Sequence, residues 1–285
     1  MQYKYLALQG GGVKGLAYTG ALTYLEEIGM LQQMSGFAGT SAGAMTAMLL
    51  SVGYTAKEIK NILWDMNLQE FKDDKIGFVR DLFSILYKYG LCPGDKLYHW
   101  LKQKLQDKVG SKEEKITFEM LPKDLRVVVT NLTTGKPVIL QRGQSNIEDV
   151  ALAVRVSAGF PVFYQPKIIN RNYYVDGGVL QNFPIEVFPP EETLGCILRD
   201  YDFEQKQKHE IKNFKTYLAA LFETMYNAAQ KAYIKPEEYE RAIKINIPSY
   251  IKTMDMSISI EDKELLYEIG YNSTKNYFIK GDDQK

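Results

Sequence analysis

The sequence predicts an α/β fold, a three-layer α/β/α sandwich with a mostly parallel central sheet, and three observations lead there. Two strand-to-turn-to-helix units follow one another within residues 4–50. Further apolar or alternating runs are spread along the rest of the chain, several with helical segments between them, which is the order that builds a sheet with helices on its faces. The last run, Ala242–Ile247, lies beyond the best linker candidate and still reads as a buried strand, so all 285 residues are taken as a single domain.

The elements follow in order. Lys4–Leu8 alternates and then meets Gly10-Gly11-Gly12, after which Leu16, Ala21, Leu22, Leu25 and Ile28 share one helical stripe. Phe37-Ala38 ends at Gly39, and Ala42–Leu50, rich in Ala, Leu and Met, gives the second helix. Thr55-Ala56-Lys57-Glu58 is a capping box, and Asp95 is expected to cap a helix that stops near Gly110. Strands are expected at Leu125–Val129, Val138–Leu140, Tyr173–Val175, Gly195–Leu198 and Ala242–Ile247. The charged run 204–212 is the linker candidate. Two apolar stripes, one from Phe78 to Tyr89 and one from Ile211 to Met225, are expected to pack on the sheet, with a lid or interfacial helix as the alternative.

Composition narrows the partners. Thirty-five basic and thirty-five acidic side chains give a formal net charge of zero, so no overall field draws in nucleic acid or an anionic membrane, and any membrane contact has to be local and transient. No apolar stretch approaches the roughly 20 residues that span a bilayer, and the first residues lack a signal-peptide core, so a cytoplasmic location is expected. Cys92 and Cys196 are far apart and outside any CxxC spacing, which suits reduced thiols.

Gly39-Thr40-Ser41-Ala42-Gly43 carries the chemistry. A nucleophilic serine must protrude from a sharp strand-to-helix turn, and small residues two positions to either side let the backbone crowd there. The following helix aims its first amides at the same point, where they favour developing negative charge. A hydrolase also needs donors for an oxyanion, and Gly10-Gly11-Gly12-Val13-Lys14-Gly15 offers backbone N–H groups at another strand-to-helix turn. The same glycines satisfy GxGxxG, so dinucleotide binding is a rival; it weakens because Ser35-Gly36-Phe37-Ala38-Gly39 puts no acid where a ribose-binding carboxylate should stand.

Only two histidines are present. His99 belongs to an amphipathic helix and His209 to the charged run. His209 follows in the chain order of an α/β-hydrolase triad, so a Ser–Asp–His arrangement stands as an alternative. The better base is Asp176, which ends the apolar run Tyr173-Tyr174-Val175 and is followed by Gly177-Gly178. Taken alone, Asp-Gly-Gly is a common turn sequence.

The glycine loop, the Gly39–Gly43 pentapeptide and Asp176-Gly177-Gly178, in that order, resemble the patatin-like phospholipase family. The run Ala153–Phe163 and Asn182-Phe183-Pro184 extend the likeness over about residues 4–190, and Ser259–Gly270 resembles a helix that often closes that family's domain. Lys14 matches a basic position of the family's loop. Gly159-Phe160 departs from the usual Ala and aliphatic residue before the proline, and Val162 stands where glycine is common. The resemblance implies a lipid acyl hydrolase acting on lipid or phospholipid through a Ser41–Asp176 dyad, without metal or cofactor. Acyl transfer on the same dyad, or a catalytically silent nucleotide- or lipid-binding module, are the alternatives.

Overall fold

The computed structural model describes residues 3–71, 84–85, 87–111, 113–200, 211–212, 216–217, 220, 224, 236–255 and 257–282. Its centre is an eight-stranded sheet built from β1 (Tyr5–Leu8), β2 (Gly36–Gly39), β4 (Asp124–Asn131), β5 (Lys136–Leu140), β7 (Lys167–Ile169), β8 (Asn172–Asp176), β9 (Thr193–Asp200) and β10 (Ala242–Ile247). The order is β10-β9-β1-β2-β4-β8-β7, with β5 paired to β4. From β10 through β4 every pairing is parallel, while β5, β8 and β7 join antiparallel. β3 (Gly90–Cys92) and β6 (Val162–Tyr164) pair separately as a parallel two-stranded ribbon that the sequence reading did not anticipate.

The central strands are buried on both sides, and residue size decides what covers each side. Leu6, Leu8 and Phe37 belong to the larger core, with α1 (Ala17–Glu27), α2 (Ala42–Ser51), α3 (Ala56–Trp64), α4 (Asp95–Val109), α5 (Val150–Ser157) and α6 (Ile260–Asp282) contributing to it. Ala7 and Ala38 point the other way, and their small side chains leave room for Phe183, Ile185, Val187 and Phe188. In α2 every residue from Gly43 to Ser51 is buried, so this helix is apolar all round; its Thr46 and Ser51 hydroxyls donate back to the carbonyls of Ala42 and Met48. α6 crosses α1 so closely that a Cβ on Gly270 would lie 1.8 Å from the Ala17 carbonyl oxygen. No helix among the described residues is long and apolar enough to cross a membrane.

Thr55 and Glu58 form the expected capping box on α3. Asp95 does not cap α4: Gly94, at φ 81°, is the cap and Asp95 the first helical residue, where its charge still meets the positive end of the helix dipole. Most of the stripe 78–89, most of 211–225 and most of the run 204–212, with His209, lie outside the described residues. Both cysteines are buried and neither is in a disulfide.

Candidate active site

Parallel pairing of β1 with β2 brings the loop after Leu8 and the turn after Gly39 to the same edge of the sheet, the carboxyl ends of the strands, where open α/β sheets form their clefts. Ser41 sits on that turn as the cap of α2, with φ 54° and ψ −121°, a conformation that side-chain-bearing residues rarely adopt. Why the turn needs glycine on both sides is visible in the distances. A Cβ on Gly39 would stand 2.2 Å from the Gly43 carbonyl oxygen, and one on Gly43 would stand 2.2 Å from that of Leu8.

Asp176 ends β8 and pairs with Val129 of β4. It is 4% exposed; its carboxylate accepts from the Gly178 N–H at 2.8 Å, and the Ser41 hydroxyl is close enough to lower its pKa. Burial pushes its pKa up from 3.8 to about 7, the Gly178 N–H and the Ser41 hydroxyl opposing that shift in part. Gly177 and Gly178 open a short helical turn rather than a hairpin. A Cβ on Gly177 would meet the Val128 carbonyl oxygen at 2.3 Å.

The glycine loop lies against the serine turn: a Cβ on Gly10 would be 3.2 Å from Ser41 Cβ, and one on Gly15 2.9 Å from Ala42 Cβ. Its N–H groups are not equivalent, which corrects the expectation that the whole loop offers donors. Gly10 donates to the Asn182 carbonyl at 3.1 Å, Val13 to Thr253 at 3.0 Å and Lys14 to Gly11 at 3.2 Å. Among the described residues Gly11 and Gly12 have no acceptor for theirs, and Ala42, first in α2, donates to none either. Lys14 is buried and ion-paired with Asp200, a partner that nothing in the sequence pattern marked. Thr40 ties the turn to the far loop through its hydroxyl, which donates to the Gln181 carbonyl at 3.1 Å.

Three further residues brace these groups. Ser157 Oγ accepts the Ser41 N–H at 2.9 Å and donates to the Val128 carbonyl at 2.6 Å. Two residues on, the Gly159 carbonyl accepts the Asp176 N–H at 3.1 Å, so the short stretch after α5 holds the backbones of both Ser41 and Asp176. Asn182 Nδ2 donates to the Gly10 carbonyl at 2.9 Å; because a peptide unit is planar, this hydrogen bond also orients the Gly11 N–H. Val162, where the family that the sequence resembles commonly has glycine, adopts φ 70°, which is costly for a β-branched residue.

A cavity of about 1270 Å³ adjoins the glycine loop, the serine turn and Asp176. Gly10–Leu16, Ser41 and Asp176 line it, with Met45, Leu63, Phe71, Leu97 and Phe160 forming an apolar wall and Arg199, Asp200 and Lys252 a polar one. His99 is exposed on α4, edge-on to Tyr98, and does not line the cavity.

Fold and site define a class: α/β proteins with a serine on a strained strand-to-helix turn beside a buried carboxylate. The patatin-like phospholipase profile matches residues 6–189, and the chain belongs to that family. It is 31% identical to the uncharacterised protein YqhO of Bacillus subtilis, over 95% of this chain and 96% of that one. It is 32% identical to a probable lipid hydrolase, 463L, of Invertebrate iridescent virus 6, over 65% of this chain and 63% of that one. Among solved structures it resembles VipD from Legionella pneumophila, with a TM-score of 0.66 and 22% identity, covering 98% of this chain and 67% of VipD; that likeness concerns the fold.

Proposed function

We propose that the protein is a lipid acyl hydrolase working through a Ser41–Asp176 dyad. One observation carries the reading: a serine on a strained turn stands beside a buried carboxylate whose pKa burial pushes up to about 7. Asp176 takes the Ser41 proton as Oγ attacks the ester carbonyl, and the oxyanion settles among the N–H groups of Gly11, Gly12 and Ala42. The tetrahedral species collapses to an acyl-Ser41 as Asp176 returns the proton to the leaving alkoxide. Water, deprotonated by Asp176, then attacks the acyl carbonyl and releases a fatty acid and free Ser41. An apolar wall in a cavity of about 1270 Å³ suits an acyl chain, and the family assignment supports a lipid as the source of that chain.

The test compares Ser41→Ala and Asp176→Asn with the unaltered protein on a short-chain aryl ester and on phospholipid. Each variant is expected to lose on the order of 10³-fold or more in turnover. A fluorophosphonate is expected to modify Ser41 stoichiometrically, and product analysis should show free fatty acid rather than an acylated acceptor. Near-full turnover in either variant would sink the dyad.

A further inference from the structure

A net charge of zero conceals an uneven distribution. Between residues 125 and 175 the chain has six basic residues but only two acids, the adjacent Glu148 and Asp149, and residues 84–94 contain Lys88 and no acid. Arg126, Arg142 and Arg155 are committed to backbone carbonyls. That leaves Lys88, Lys136, Lys167 and Arg171, all exposed and, among the described residues, without a carboxylate partner.

The topology gathers these four at one place. β4 runs parallel to β1 and β2, so its end at Asn131 lies at the same sheet edge as the turns bearing Gly10 and Ser41. β8 runs back along it with Val129 opposite Asp176 and Asn131 opposite Tyr174, so Tyr173 already stands beyond that edge. There Leu132 donates its N–H to the Tyr173 carbonyl at 2.8 Å, Ile168 pairs with Tyr173 across the β7–β8 hairpin, and the Tyr89 ring meets that of Tyr173 at 5.9 Å. The hairpin turns through Asn170 and Arg171, at φ 49° and 64°, which places Arg171 at its tip, while Lys136 faces Asn131 at the start of β5. Leu132 is 49% exposed, Ile168 54% and Tyr89 55%, with Tyr87 nearby in sequence at 68%. Aliphatic and tyrosyl side chains standing out of the surface, interspersed with cations that among the described residues have no carboxylate beside them, have the composition that seats a protein at a lipid headgroup layer.

We propose that this rim is the surface by which the protein docks on an anionic lipid bilayer. The inference rests on the reading of Ser41 as a lipid acyl hydrolase only for its purpose: docking by this rim sets the sheet edge that carries Ser41 toward the membrane. The four cations supply the attraction to anionic headgroups, and Tyr87, Tyr89, Leu132 and Ile168 enter the interface.

Co-sedimentation with vesicles tests it, using phosphatidylcholine alone and phosphatidylcholine mixed with phosphatidylserine. The unaltered protein is expected to sediment with the mixed vesicles, weakly with the neutral ones, and to be released by salt. Lys136→Glu, Lys167→Glu and Arg171→Glu combined are expected to weaken binding to mixed vesicles by about 100-fold, since each cation near such a surface contributes about fivefold. Ile168→Asp should also weaken it. Turnover of a soluble aryl ester should be the same in these variants as in the unaltered protein, which verifies their folding. Binding is also measured on Ser41→Ala, so the surface is judged independently of whether Ser41 reacts. The proposal is overturned if the unaltered protein stays in the supernatant with mixed vesicles, or if the triple variant sediments equally well. It is likewise overturned if light scattering finds a dimer that Ile168→Asp converts to monomer, because the rim would then be an interface between two copies of this chain.

Discussion

The raised pKa of Asp176 makes the proposed site sensitive to pH, and the sign is opposite for activity and for stability. The base proposed for Ser41 works only when ionised, so on that proposal kcat/KM on an aryl ester is expected to fall as pH drops through about 7, far above the 3.8 of an ordinary aspartate. For stability, a raised folded-state pKa means that the fold prefers the protonated acid. Its contribution is complete below about pH 4 and is lost as pH rises through about 7. Asp176→Asn should therefore be inactive yet melt several °C higher than the unaltered protein at about pH 8, with the difference closing below about pH 4. Ser157 makes a second prediction. Ser157→Ala strips the buried Val128 carbonyl of a donor and the Ser41 N–H of its acceptor, a cost of about 1–3 kcal/mol, and frees the strained turn. Aryl-ester kcat should fall by about 10- to 100-fold, and fluorophosphonate labelling should slow in step. The turn that carries Ser41 and the strand end that carries Asp176 were legible in the sequence because each is announced by its immediate neighbours. Ser157 and Asn182 were not, because their partners lie 116 and 172 residues away and nothing local marks a hydroxyl or an amide as a brace.

At the level of elements, the parallel part of the sheet follows from the alternation of strands and helices, whereas loop length sets the antiparallel margin. Only Leu132–Gly135 separates β4 from β5, and only Asn170-Arg171 separates β7 from β8; neither is long enough for a crossover to a parallel neighbour. The ribbon of β3 and β6 escaped because three residues are too few for a periodicity to register. That ribbon carries Val162 at φ 70°, opposite Gly90, whose absent side chain lets the strands approach: a Cβ there would lie 2.6 Å from the Gln165 nitrogen. A left-handed valine costs more than the conformational entropy a glycine would lose, so Val162→Gly is expected to raise the melting temperature by about 2–4 °C. A drop would mean that the valine side chain contributes packing that outweighs its strained backbone.

On the scale of the whole molecule, the family match ends at residue 189, but the structure that holds the site does not. β9 lies between β1 and β10, so without β10 the strand next to the serine's own neighbour becomes a bare edge. The Thr253 carbonyl accepts the Val13 N–H, and a Cβ on Gly12 would be 2.1 Å from it, so the segment after β10 shapes the glycine loop directly. α6 covers α1, the helix into which that loop leads, and Gly20 and Gly270 permit a crossing too close for any side chain at either position. We therefore read the matched part and the remainder as one folding unit. A chain cut after Asp200 is expected to expose the β9 edge and the apolar face of α1, to show no cooperative thermal transition by circular dichroism, and to leave aryl ester unhydrolysed. If that fragment instead melts cooperatively and turns over the ester at the full-length rate, the glycine loop must hold its shape without Thr253, and the oxyanion donors assigned to Gly11 and Gly12 would have to be set by the β1–β2 edge alone.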